Sequence, residues 1–148
     1  MRLQEEGHPV CISFHTKARE LEAEARRIAL AAARHFDRDR YSLYAAVCMP
    51  DHMHLILTPC LGPRGKPWTL VRIAGSIKSY SAHQINRRAG RLGPVWQRGF
   101  YDRIVRSESD LEEKVRYLWE NPVRAGIVEA PEDYPFAWNR WYHTDAES

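Results

Sequence analysis

Cysteine is scarce in this sequence: Cys11, Cys48 and Cys60 are widely spaced and form no CxxC pair. That argues against a disulfide framework or a cysteine-rich zinc site and fits free thiols in a reducing compartment. Long apolar runs are also missing, and none approaches the ~18 residues of a membrane span. Residues 1–9 hold Glu5, Glu6 and Gly7 but no apolar stretch of the kind a secretory signal needs. A cytoplasmic protein without a membrane segment is expected. No internal repeat, low-complexity tract or linker-like stretch divides the chain. One domain over residues 1–148 is expected, with loose ends at 1–9 and 143–148.

Negative charge is nearly absent from the middle of the chain. Residues 64–106 carry ten basic side chains and one acidic, Asp102, whereas residues 107–148 carry four basic and ten acidic. A formal net charge of only +3 therefore conceals a strongly basic segment. Such a segment suits a polyanion, nucleic acid being the commonest. The alternative is that the acidic segment neutralises it within the fold.

What is present is a regular alternation of element signals. Residues 10–16 and 41–49 read as strands. Residues 52–58 make a third, joined to the second by a Pro50-Asp51 turn. Residues 17–36 carry Leu21, Ala25, Ile28, Ala32 and Phe36 at helical spacing. Residues 59–67 are a loop. Thr69 is placed to cap a helix running to about Arg88 and stopped by Gly90. Residues 95–105 read as a fourth strand with Trp96, Arg98, Phe100 and Asp102 on one face. Ser109 with Glu112 has the pattern of a capping box, opening a helix that Pro122 ends after Asn121. Tyr134, Phe136, Trp138 and Trp141 are expected to pack back on the body. The order predicts an α+β, ferredoxin-like split βαβ fold: an antiparallel sheet of about four strands, helices mainly on one face, the other face free for a site.

The segment CMPDHMHLIL places two histidines in an otherwise apolar strand. A strand's side chains alternate, so His52 and His54 share one face about 7 Å apart, opposite Met53, Leu55 and Leu57. Two imidazoles so placed can converge on one borderline cation, or be two half-exposed polar residues on a sheet surface. In LEEKVRYLWENPVRAG, residues 111–126, Leu111, Val115, Leu118 and Trp119 form the buried stripe of a helix. Tyr117 falls about 145° from that stripe, next to Asn121, whose amide could ligate a metal. A tyrosine is a covalent nucleophile when a metal or cation activates it. Packing under the aromatic tail, for Tyr117, and helix termination, for Asn121, are the alternatives.

MPDHMHLIL, IKSYSAHQIN, VWQRGFYDRIV and YLWENPVRAGIVEAPEDYPFAW follow one another in that order. Together they resemble the REP-associated tyrosine transposases, relatives of small insertion-sequence transposases in the HUH single-tyrosine superfamily. The resemblance spans residues 10–138. It implies that His52 and His54 hold a divalent metal, Mg²⁺ or Mn²⁺, that Asn121 is the third ligand, and that Tyr117 is the nucleophile. It further implies a single-stranded DNA endonuclease and strand-transferase that acts at hairpins formed by imperfect palindromes through a 5′-phosphotyrosine, as a monomer or homodimer. Asp51 and Met53 stand where that family often has Asn and Val. On this reading Lys78, Arg98, Arg103 and Arg124 are the candidate phosphate contacts. Two rival readings remain: a hairpin-DNA-binding module without chemistry, and a zinc hydrolase using metal-activated water, with His15 or Asp102 as a further ligand.

Overall fold

The computed structural model describes residues 7–142. Of the ends expected to be loose, 1–9 and 143–148, residues 1–6 and 143–148 lie outside the described residues, and the Pro9 carbonyl accepts from the Val105 amide at 3.0 Å. The strands are β1 (Val10–His15), β2 (Tyr41–Met49), β3 (His52–Pro59), β4 (Tyr101–Ile104) and β5 (Ala137–Asn139), and the helices α1 (Ala23–His35), α2 (Leu70–Ala89) and α3 (Glu108–Arg124). The sheet order is β4-β1-β3-β2-β5, all neighbours antiparallel. The first four strands with α1 and α2 make the expected ferredoxin-like unit. The fifth strand is an addition, made by the tail. Tyr134 of that tail is buried and donates its hydroxyl to the Cys48 carbonyl at 2.5 Å.

One face of the sheet is a closed apolar layer. Val10, Ile12 and Phe14 of β1 and Met53, Leu55 and Leu57 of β3 pack with Ala29, Leu30 and Ala33 of α1 and Ile73, Ile77 and Ile85 of α2. The other face is not left open as expected. α3 lies over its β2 side, where Leu111, Val115 and Leu118 pack with Val47, Met49 and Ile56. A register shift between Leu43 and Ala45 places Tyr44 and Ala45 together on the α3 face.

Three elements differ from the sequence reading in their bounds, each for a local reason. The fourth strand shrinks to Tyr101–Ile104. Before it, Trp96 buries its ring edge-on to Phe14 at 4.9 Å and donates to the Ser81 hydroxyl, and Gly99 adopts φ 81°. Phe100 and Arg98 therefore do not share a strand face with Asp102. α1 starts at Ala23 because residues 17–22 are held outside the helix, with the Lys17 and Leu21 amides donating to the Val95 and Pro50 carbonyls. α3 opens one turn's fraction earlier than Ser109. Ser107 accepts from the Asp110 amide, and the Asp110 carboxylate accepts from the Arg106 amide, a reciprocal cap with Asp in the Glu role. At its other end α3 runs through Pro122. It closes at Gly126 (φ 74°), with the Ile127 amide on the Pro122 carbonyl and the Gly126 amide on the Val123 carbonyl.

Candidate active site

β1, β3 and β4 bring their polar residues to the face that α3 only partly covers. His15 lies opposite His52, and Ser13 opposite both His54 and Tyr101, so these residues share a face. The His52 and His54 rings stand edge to face at 4.6 Å between centroids, and the His15 ring stacks on His52 at 5.3 Å. The Pro50-Asp51 turn puts the Asp51 carboxylate 2.6 Å from His52 Nδ1. This contact draws the Asp51 carboxyl below its ordinary range and leaves His52 Nε2 free. His54 is pushed down to about 4 by burial first, then by the neighbouring His52, His15 and Arg124. Near neutral pH its imidazole is uncharged, and its lone pair can be given to a cation.

A groove of about 570 Å³ runs between the β1–β4 edge and α3, with Ser13, His54, Tyr101, Arg103, Lys114 and Tyr117 among its walls. Cys11 also lines it, its thiol pushed up to about 11 by burial and so kept protonated. Tyr117 is 56% exposed, as expected for a residue off the buried stripe of α3. The Arg124 guanidinium lies 3.7 Å from the centre of its ring. Arg124 also donates to the Tyr117 backbone carbonyl. Pro122 has no amide hydrogen, so the carbonyl of Leu118 loses its usual helical partner and this turn of α3 is held partly by side chains.

The structure thus joins Tyr117, His54, His52 and Arg124 in one neighbourhood. Asn121 sits one turn beyond Tyr117, half-buried. Arg103 lines the groove, and Arg98 is exposed on the loop before β4. Lys78 lies on α2, as read. Its ammonium donates to the Gln97 carbonyl at 2.8 Å and to that of Gly99, and it lies over the Phe14 ring, so it fastens the loop that carries Arg98. Sequence reasoning did not find the Asp51 support of His52 or the placement of Tyr101 beside the site. The first was signalled by an acidic residue directly before HxH. The second was missed because attention went to the other face of that strand, the one carrying Asp102.

Two imidazoles on one strand face could give their lone pairs to a single divalent ion. Among the described residues no three of His, Cys, Asp and Glu come together to hold a metal. Two imidazoles on one face are therefore the core of any such site, and a third protein donor would have to be of another type, such as the amide of Asn121.

Residues 12–121 match the family described as Transposase IS200 like. The chain belongs to that family. Among IS200-like transposase relatives, the REP-associated tyrosine transposase of Escherichia coli is 34% identical over 101 residues, which are 68% of this chain and 56% of that protein. A relative in Haemophilus influenzae is 30% identical over 113 residues, 70% of this chain and 60% of its own. The chain thus spans a little over half the length of both. A solved structure of a REP-associated tyrosine transposase bound to a REP hairpin superposes with a TM-score of 0.72 at 26% identity, covering 93% of this chain and 79% of that one. Among the described residues no helix is long and apolar enough to cross a membrane.

Proposed function

We propose that this chain is a metal-dependent, single-tyrosine endonuclease and strand-transferase for single-stranded DNA, acting beside hairpins formed by imperfect palindromes. The observation that carries the reading is the shared groove of Tyr117 and His54, one from α3 and one from β3. The REP hairpin in the solved relative supports hairpin DNA as the partner. The basic segment ending in Arg103 and Arg106 supports a phosphate backbone.

His52, through Nε2, and His54 would hold Mg²⁺ or Mn²⁺, with the Asn121 amide as third donor. The ion, when bound, polarises the scissile phosphate and eases departure of the 3′-oxygen. Tyr117 Oη attacks phosphorus in line as the bond to the 3′-oxygen breaks. The phenol loses its proton, the departing 3′-oxygen gains one, and the 5′-phosphate stays on Tyr117. Attack by a second 3′-hydroxyl reverses the step and rejoins a strand, so no external energy source is needed. Arg124 holds the ring by stacking on it, while Arg98 and Arg103 hold phosphates. Tyr117 and His54 of one chain line one groove, which supports a site assembled within a single chain.

Covalent trapping tests this. Labelled hairpin-bearing DNAs incubated with the protein and Mn²⁺ are expected to give an adduct on a denaturing gel, absent in Tyr117→Phe and with chelator. Cleavage that survives in Tyr117→Phe would move the nucleophile to water and sink the tyrosine mechanism. Tight binding without adduct or cleavage would make the chain a binding module.

A further inference from the structure

Tyr101 is 72% exposed, the most exposed aromatic among the described residues, and Tyr117 at 56% comes second. A single exposed ring is ordinary on a protein surface. Here the two most exposed rings line the same groove. Nothing in the fold requires Tyr101 there. β4 is an edge strand of four exposed residues, and hydrophobic packing on either sheet face proceeds without it.

Its position is nevertheless fixed. Tyr101 pairs with Ser13, which pairs on its other side with His54, so the three lie in one row across the sheet. Two interstrand steps put Tyr101 about 10 Å from His54, backbone to backbone. The residue between them, Ser13, is small and leaves the floor low. The His15 ring meets Tyr101 at 89° with centroids 6.1 Å apart, so His15 sets the tilt of the tyrosine ring. Two residues along the same strand face, Arg103 also lines the groove. The stretch from Val95 to Arg106 carries Arg98, Arg103 and Arg106 against one acid, Asp102. An exposed ring beside a low floor and a basic strand is what single-stranded nucleic acid sites use: phosphates go to the cations and a base lies on the ring.

We propose that Tyr101 is the base-stacking platform of this groove, its ring, tilted by His15, holding a nucleobase of single-stranded DNA next to the scissile phosphate. The proposal rests on the DNA-processing reading above and adds the residue that seats the flanking nucleotide. Stacking of this kind tolerates any base. It therefore supplies position in the groove and leaves the identity of the sequence to other contacts.

The test reads binding and does not depend on chemistry. The probes are DNA hairpins with single-stranded thymidine tails carrying 2-aminopurine at one tail position at a time. On adding the full chain, fluorescence at one tail position should be quenched. The quench should persist in Tyr101→Phe and Tyr117→Phe and vanish in both Tyr101→Ala and Tyr101→Leu, the second keeping bulk without a π-face. Affinity for tailed hairpins should fall about tenfold in Tyr101→Ala, with no change for hairpins lacking tails. An abasic site at the quenched position should weaken wild-type binding equally and add nothing to Tyr101→Ala. Equal binding of tailed DNA by wild type and Tyr101→Ala, or a quench that survives Tyr101→Leu, would overturn the proposal. So would wild-type protein that quenches no tail position. A quench dependent on Tyr101 with no covalent adduct at Tyr117 would uphold the platform while rejecting the strand-transfer chemistry.

Discussion

On the α1–α2 face of the sheet, β3 presents Met53, Leu55 and Leu57, none with measurable exposure; on the α3 face the same strand presents His52, His54 and Ile56. The first face is sealed by two helices. The second is sealed only where Ile56 meets Leu111, Val115 and Leu118, and past that contact it opens into the groove. One strand thus serves stability through its odd-numbered residues and, on the proposed function, chemistry through two of its even-numbered ones. His54, kept neutral by burial, lines the same groove as Tyr117.

The comparison breaks most sharply at Tyr117. Tyr117→Phe removes one exposed oxygen and should leave melting unchanged, yet covalent adduct formation should drop by at least ~10³-fold. Unchanged adduct levels would remove Tyr117 from the chemistry. Leu55→Ala should do the reverse. It opens a cavity in the sealed face and should cost about 2–5 kcal/mol of stability by denaturant titration. His54→Leu, one residue away, exchanges a half-buried uncharged imidazole for an apolar group. It should change stability by less than about 1.5 kcal/mol while abolishing binding of Mn²⁺. If His54→Leu unfolds the chain as Leu55→Ala does, the division of labour between the faces is wrong.

The sealed face was legible because hydrophobic periodicity encodes it directly. Ile73 and Ile77 are where helical spacing puts them, and Thr69 and Gly90 cap α2 as read, the first accepting from the Arg72 amide and the second in the left-handed region. HxH was legible for the same reason. The open face was harder. α3 was read as amphipathic, but nothing local says which sheet face its stripe meets, and the face was expected to stay bare. β4 was misjudged because Trp96 and Gly99 turn an alternating stretch into a tethered loop, held by Lys78 from a distant helix. β5 is three residues long and is made by pairing with β2 alone. Roles set by long-range contact, such as the ring of Tyr101 or the guanidinium of Arg124, leave no periodic trace.

Asp51 gives a smaller effect that sharpens the comparison. Its carboxylate orients His52 from the turn, outside both packed layers. Asp51→Asn keeps the shape and weakens the acceptor. Mn²⁺ affinity, measured by titration calorimetry, should fall about 10-fold or more with melting unchanged. An unaltered affinity would show that His52 needs no such support.

The smallest effects separate the helices that seal the two faces. α3 ends at Gly126 in the left-handed region, so Gly126→Ala forces a Cβ into a conformation that costs about 1–2 kcal/mol, although open space surrounds it. α2 carries Gly75 in mid-helix, exposed, where an added Cβ meets nothing within 4 Å. There the same substitution removes only the entropic penalty of glycine, and Gly75→Ala should raise stability by about 0.5–1 kcal/mol. Thermal melts of the two variants should therefore move in opposite directions. A downward shift in Gly75→Ala would mean that α2 needs its freedom at that turn, and that the sealed face is less rigid than its packing indicates.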